Sequence, residues 1–537
     1  CFLIKHFLYK RTIQQHAWNR FMGLSKYILM SLFIFCISCS SKTPNNGDVF
    51  VVATYDDITD WDPATAYSLE VLPMSNMYEP LLWLDASDNE HKMVPGLATS
   101  YQKSDDGLIW NFQLRENVRF HDGEYFNAEA VKYVVERNQS FYQGASYIWE
   151  NVQEVRVEGD YSVTFVLDTP VPLDRIVSSQ YGAWMYSPGT KNMSMDSIKN
   201  GHIAGTGPYM FNSWTRNHQI ELKRNDNYWG GWSKSNYFNK IQIRVVSESS
   251  TRLQMIESGL VDYAVLIPNQ LLDRIKSSDN INVSFFPAWI NHFYLLNTKK
   301  HPTDNIFIRK AIASAFDRKT INQYVYQDLG REPVGIVPSN IPLFSEPDSL
   351  ISFDLNKAIS YINQSGLERS AINIDFSYVS TSEEYRLTAL SLYDNLRKVG
   401  INTKLKPGLW TTNWEKAKNK NTAPNLISMA WWPTYPSPSD WFVGLYKTQK
   451  SPLFNLSYYS NSDVDSLIDM AWKNEALHPN KAKKYYKAIQ DKLIDDCVVI
   501  PSSDLNVQSV SRSDIVGLKP NPAYSTLLVY KLERKSD

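Results

Sequence analysis

The residue types that do chemistry are all present in this chain, but none stands in a reactive spacing. The nine histidines (His6 through His478) are scattered with no HxH or HExxH pattern, and the one CxxC spacing, Cys36 to Cys39, falls in the apolar run near the N-terminus. No metal site and no cofactor are therefore expected. His121-Asp122-Gly123 sets an imidazole beside a carboxylate, yet no serine or cysteine motif accompanies it, and it reads as a turn. Glu383-Glu384 is a carboxylate pair at a helix start, where acids suit the helix dipole; it reads as a solvated face. Met429–Phe442, MAWWPTYPSPSDWF, is of another kind. It carries Trp431, Trp432, Tyr435 and Trp441, one acid (Asp440), and three prolines that exclude a helix interior or a central strand. Rings on a proline-locked loop suit the gripping of a ligand. Glycoside hydrolysis needs two carboxylates, and this loop offers one. No catalytic residue is assigned; the chemistry is that of binding.

The elements that must position this segment are legible in part. Between Gly205 and Gly231, GTGPYMFNSWTRNHQIELKRNDNYWGG places two strands, Met210–Trp214 and Ile220–Lys223, around a reversal at Asn217-His218. Gly205-Thr206-Gly207-Pro208 reads as a tight turn of residues that tolerate or fix unusual φ. Upstream, Met93–Arg137 gives a strand ending at Tyr101, an Asp105-Asp106-Gly107 turn and a strand over Ile109–Leu114. A helix capped by Asn127 follows, with Val131, Val134 and Val135 on one face. Asn305–Ile321 reads as one amphipathic helix. Val464, Leu467, Ile468, Ala471 and Trp472 repeat at helical spacing up to Pro479.

The GTGPY…YWGG block and the PGLA…SDDG…FHDG order before it resemble, together, the peptide- and nickel-type extracellular solute-binding proteins of bacterial ABC importers. The Asn305 helix, Met429–Phe442 and Tyr458–Met470 are looser matches to the same family. The resemblance implies an α/β fold of two lobes, periplasmic-binding-protein-like (type II, Venus-flytrap), with an extra inserted α+β subdomain in lobe one. It implies a receptor, not an enzyme, that captures extended oligopeptides or dipeptides by hinge closure and delivers them to an inner-membrane permease. A nickel chelate or an oligosaccharide remains open as the solute, and a glycan-processing surface enzyme is the rival from another class. Peptide-binding members place a carboxylate in the cleft segment for the ligand's α-amino group. Here those slots hold Thr434 and Ser437, so either Asp440 takes the role or the ligand has no free amine there.

The N-terminus sets the compartment. Tyr27–Ser38 is a short apolar run preceded by Lys26, Arg20 and Arg11, the layout of an export signal. Ile37-Ser38-Cys39-Ser40 resembles a lipoprotein processing site, with Cys39 as the lipidated residue. The expected product is exported and lipid-anchored, facing the periplasm or the cell exterior, and monomeric. Cys497 then stands as the one internal cysteine, without a disulfide partner, in an apolar run. A formal charge of −1 without a basic run gives nucleic acid no electrostatic basis.

The expected order is a signal region at 1–38 (1–21 being upstream sequence) and a tether at 39–48. Lobe one comprises 49–75, 196–288 and 500–537, the inserted subdomain spans 76–195, and lobe two spans 289–499. Crossings near Phe286–Asn297 and Val499–Asp504 form the hinge. For ligand contact the candidates are Trp431, Trp432, Tyr435 and Asp440. Trp289, Asn291 and Tyr294 at the first crossing come next, then Tyr55 and Asp56 after the opening strand.

Overall fold

The computed structural model describes residues 48–85, 91–232 and 237–535. The export signal, Cys39 and nearly all of the tether lie outside the described residues. Among those residues no helix is long and apolar enough to cross a membrane.

One sheet of eleven strands runs through both lobes. In lobe one, Val49–Thr54 lies parallel to Lys240–Val245 and to the short strand Tyr263–Ala264. The Gly205 block adds the hairpin Tyr209–Thr215 and Gln219–Arg224 at the outer edge, with Asn217 at φ 57° in its turn. In lobe two, Asn373–Val379 lies parallel to Asn402–Gly408 and to Leu426–Trp431. Five of the six side chains of Val49–Thr54 are buried, which a continuous apolar run in a covered parallel sheet requires.

Two long strands join the lobes, Ile281–Leu296 and Val499–Arg512, paired antiparallel over almost their whole length. The strand Ile281–Leu296 thus does not stop at the lobe boundary but continues across it. The register breaks between Pro287 and Ile290, opposite Leu505 and Asn506. Proline has no N–H for the ladder, so a bulge is where the strand accommodates it.

Within residues 76–195 sits a second, four-stranded antiparallel sheet, ordered Ala98–Lys103, Ile109–Leu114, Ser162–Leu167, Val152–Gly159. Helix Ala128–Ser140 is capped by Asn127, whose side chain accepts from the Ala130 N–H at 3.0 Å, and buries Val131, Val134 and Val135.

The two sequence blocks that carry the family pattern meet where Arg115 lies over the Trp229 ring and at His121. The His121 ring accepts from the Gly205 N–H at Nδ1 (3.3 Å) and donates from Nε2 to the Gly207 carbonyl (2.9 Å). Burial lowers its pKa to about 4, so the ring stays neutral, as this pairing demands. Neither Gly205 nor Gly207 takes a positive φ. A Cβ on Gly205 would lie 2.0 Å from the Met77 carbonyl oxygen, so these glycines serve close backbone approach and not an unusual φ. Thr206, Tyr228 and Trp229 converge on buried Glu79 at 2.8, 2.8 and 2.7 Å. The block is scaffold.

One expected element differs. Asn305–Ile321 is two helices, Ile306–Ser314 and Arg318–Ile321. The Asp317 side chain accepts from the Thr320 N–H, which restarts the helix and breaks the first stripe. Thr526–Leu532 is not a strand: the Asn76 side chain donates to the Leu527 carbonyl and accepts from the Val529 N–H, replacing a neighbouring strand. The chain reaches a strand only at Glu533–Arg534.

Candidate ligand-binding site

A cavity of about 920 Å³ lies between the lobes, within the range of small-molecule sites. Lobe one contributes Tyr55, Tyr67, Tyr181 and Tyr524, and lobe two contributes Tyr326, Tyr385, Trp410, Trp431 and Trp432. The middle of the crossing strands supplies Ile290 and Leu505–Gln508. The wall is therefore mostly ring faces and strand backbone.

Of the residues the sequence singles out, Tyr55, Trp431 and Trp432 line the cavity. Tyr55 ends the opening strand, and burial together with neighbouring Asp56 pushes its hydroxyl up to about 12. Trp432 has a buried indole Nε1 with no hydrogen-bond partner among the described residues. A buried donor left without a partner costs on the order of 1–3 kcal/mol, so a ligand acceptor there would be favourable. Asp56 is half-buried beside the cavity rather than on it.

The other five are packed behind the wall. Trp289 is buried and donates its backbone N–H to the Pro522 carbonyl at 2.7 Å. Asn291 accepts from Trp441 Nε1 and donates to the Ile336 carbonyl. Tyr294 packs among His292, Phe316 and Phe376. The Tyr435 hydroxyl pairs with Ser439 at 3.0 Å. Asp440 is 0% exposed on the first turn of helix Pro438–Leu445, which Ser437 caps.

Asp440 organises the loop. Its Oδ2 accepts from Trp431 Nε1 and from the Thr434 N–H, each at 2.7 Å, and its Oδ1 accepts from the Tyr147 hydroxyl at 2.7 Å. Burial raises its pKa to about 7 against the pull of these donors. With the carboxylate charged, proton direction is forced along a chain of hydroxyls. Tyr147 spends its one proton on Asp440, so it accepts from Thr434 Oγ1 (2.7 Å), and Thr434 accepts from the Tyr67 hydroxyl (2.8 Å). Tyr67 lines the cavity, stacked on Tyr181 at 4.4 Å. The cleft segment's acid is thus one layer back from the position Thr434 holds, joined to the wall through hydroxyls.

These bonds also tie the lobes. Tyr67 and Tyr147 reach Thr434 and Asp440 from the other side of the cavity. Ser179, Gln180 and Arg175 donate to the carbonyls of Thr434, Pro433 and Pro436 at 2.5, 3.0 and 3.1 Å. Prolines cannot use their own nitrogens in a ladder, which leaves these loop carbonyls to partners from the opposite lobe. A second tie is smaller. The Asn269 N–H of lobe one donates to Glu384 Oε1 at 3.0 Å, and its side chain donates to Gln327 at 2.8 Å.

Glu384 corrects the sequence reading. It is 4% exposed and lines the cavity, whereas Glu383 faces outward and pairs with Arg386. The signal was available: Ser382 is a helix cap, and it holds the second acid inward through a 3.0 Å bond to Oε2. Tyr67 and Tyr181 sit in irregular segments where no periodicity points to a wall.

The histidines near the crossing do not reach the cavity. His292 has both ring nitrogens engaged, by Tyr326 and Ser428, and burial lowers its pKa to about 3. His301 is exposed beside Asp304. Among the described residues no cluster of three His, Cys, Asp or Glu could hold a metal ion.

Comparisons with known proteins agree with this architecture. The family profile described as bacterial extracellular solute-binding proteins, family 5 Middle, matches residues 92–452. The chain is 25% identical over 431 residues to the probable D,D-dipeptide-binding periplasmic protein DdpA of Escherichia coli K12, covering 79% of this chain and 82% of that one. It is 26% identical over 491 residues to the glutathione-binding protein GsiB of E. coli O1:K1, covering 88% and 93%. Among solved structures, the dipeptide-binding protein of Pseudoalteromonas sp. SM9913 in complex with Met-Leu superposes with a TM-score of 0.83. It is 20% identical, covering 91% of this chain and all of that one.

Proposed function

The chain belongs to family 5 of the bacterial extracellular solute-binding proteins, and on that premise we propose that it is the lipid-anchored peptide receptor of an ABC importer. Dipeptides or short oligopeptides enter between the lobes, the lobes close, and the closed form is presented to a permease in the membrane. Cys39 carries the acyl chain, and the residues after it are a tether. The protein acts as a monomer and leaves the solute unchanged.

The observation that carries this reading is the cavity itself. It is bounded by two lobes that the paired strands connect, and its polar ties run from one lobe to the other. A solute that touches both walls favours closure by its differential affinity for the closed form. The bulge at Pro287–Ile290 is where the strands absorb the rotation. Ring faces accept varied side chains, and strand backbone at Leu505–Gln508 offers partners to an extended peptide. The peptide class has its support in the names of the relatives and of the structural neighbour.

Thermal unfolding of the purified protein against defined di- to hexapeptides tests the reading. Binding to the native state alone raises stability by about 2.7 kcal/mol at a ligand concentration a hundred times Kd. A rise in Tm with peptides is expected. A Tm unmoved by every peptide at millimolar concentration, with nickel–histidine or an oligosaccharide raising it instead, overturns the peptide assignment. Conversion of any peptide during incubation overturns the receptor assignment.

A further inference from the structure

We propose that Glu384 is the counter-ion for a positively charged group of the captured solute, its ammonium terminus when that solute is a peptide, an assignment that rests on the receptor reading above. Among the described residues four charged side chains line the cavity: Asp85, Glu384, Lys519 and Lys531. The two lysines are exposed and Asp85 is half-buried, so Glu384 alone sits fully inside the wall. Each of its oxygens accepts one hydrogen bond, from the Asn269 N–H and from the Ser382 hydroxyl. A carboxylate has about four acceptor positions, so two remain. No described lysine, arginine or histidine pairs with it. A buried carboxylate gains by pairing with a cation, and a cation arriving with the solute would supply one.

Two features make it a prepared site and not a leftover charge. It stands in the first turn of helix Glu383–Val399, and the Ser382 hydroxyl fixes its rotamer. Its other partner, the Asn269 N–H, comes from the opposite lobe, so Glu384 is fully framed when the lobes meet. Asp440 shares both features, a capped first helical turn and a donor from the opposite lobe in Tyr147, but it lies behind the wall, and three donors already occupy it. The cleft segment's missing acid is thus replaced from another element of lobe two.

The test uses the purified protein and an equimolar dipeptide library, half of it N-acetylated, with retained peptides identified by native mass spectrometry. Wild type is expected to retain free-amine over acetylated peptides by at least tenfold, and Glu384→Gln to bring that ratio towards one. An undiminished preference in a folded Glu384→Gln variant overturns the assignment while the peptide reading stands. Equal retention of both halves by wild type does the same. Retention of neither removes the peptide reading and this proposal with it. Should the glutamine variant not fold, carbodiimide coupling of a bound peptide to wild type decides: an amide on Glu384 supports the proposal, and one on another acid overturns it.

Discussion

Two of the places where lobe two meets lobe one are built on opposite plans. At the proline loop a buried carboxylate, Asp440, is saturated by its own lobe and by Tyr147, and the loop carbonyls take donors from the inserted region. At the start of helix Glu383–Val399 a buried carboxylate, Glu384, has two donors and space beside it. Equal burial therefore does not mean equal duty. A saturated acid holds a wall in shape; an unsaturated one on the wall is left for the solute.

Asp440→Ala should separate the two most sharply. It leaves the Trp431 and Thr434 N–H groups and the Tyr147 hydroxyl without an acceptor, costing about 3–5 kcal/mol in urea unfolding. A cost below about 1 kcal/mol would place Asp440 outside any structural duty. The pH dependence sharpens the same point. Asp440 has a folded pKa of about 7, above its unfolded value, so its contribution is present in full at low pH and is lost as pH rises through 7. Between pH 4 and pH 7.5 wild type should lose about 2–4 kcal/mol relative to Asp440→Asn. Parallel stability curves would refute the raised value. Thr434→Val interrupts the hydroxyl chain and should cost about 1–2 kcal/mol by the same unfolding assay. Glu384→Gln, by contrast, should change stability by less than about 1 kcal/mol, since glutamine keeps a partner for both neighbours. The smallest effect belongs to Trp432→Phe. It removes an unpartnered N–H, leaves stability unchanged, and weakens ligand titrations about three- to tenfold if that N–H meets the solute.

The sequence discloses the scaffold better than the wall. Scaffold blocks are local: Gly205–Gly231 is contiguous, and its Thr206, Tyr228 and Trp229 all answer to one buried acid, Glu79. Even so, the reason for the glycines was misread, because close approach to Met77 is a contact between segments that no local pattern records. The wall is assembled from Tyr55, Tyr67, Tyr181, Leu505, Trp431 and Glu384, from segments hundreds of residues apart. Composition marks a surplus of rings without saying which face inward. Glu384 is hard to read for a definite reason: helix-start acids suit solvent and dipole alike, and beyond the local Ser382 cap it is the Asn269 N–H from the other lobe that distinguishes it.

At the Pro287–Ile290 bulge the great sheet narrows to the two long strands and the two-residue strand Gly330–Arg331. Cross-strand bonds of such a ribbon lie perpendicular to its length, so it opposes stretching and yields to torsion. Opening is then a turn about the ribbon's own axis. Atoms near the axis, Ile290 and Leu505 among them, stay almost still while Lys519 and the far rim sweep a wide arc. A dye pair spanning the mouth would register the whole excursion; one set beside the axis would register almost none.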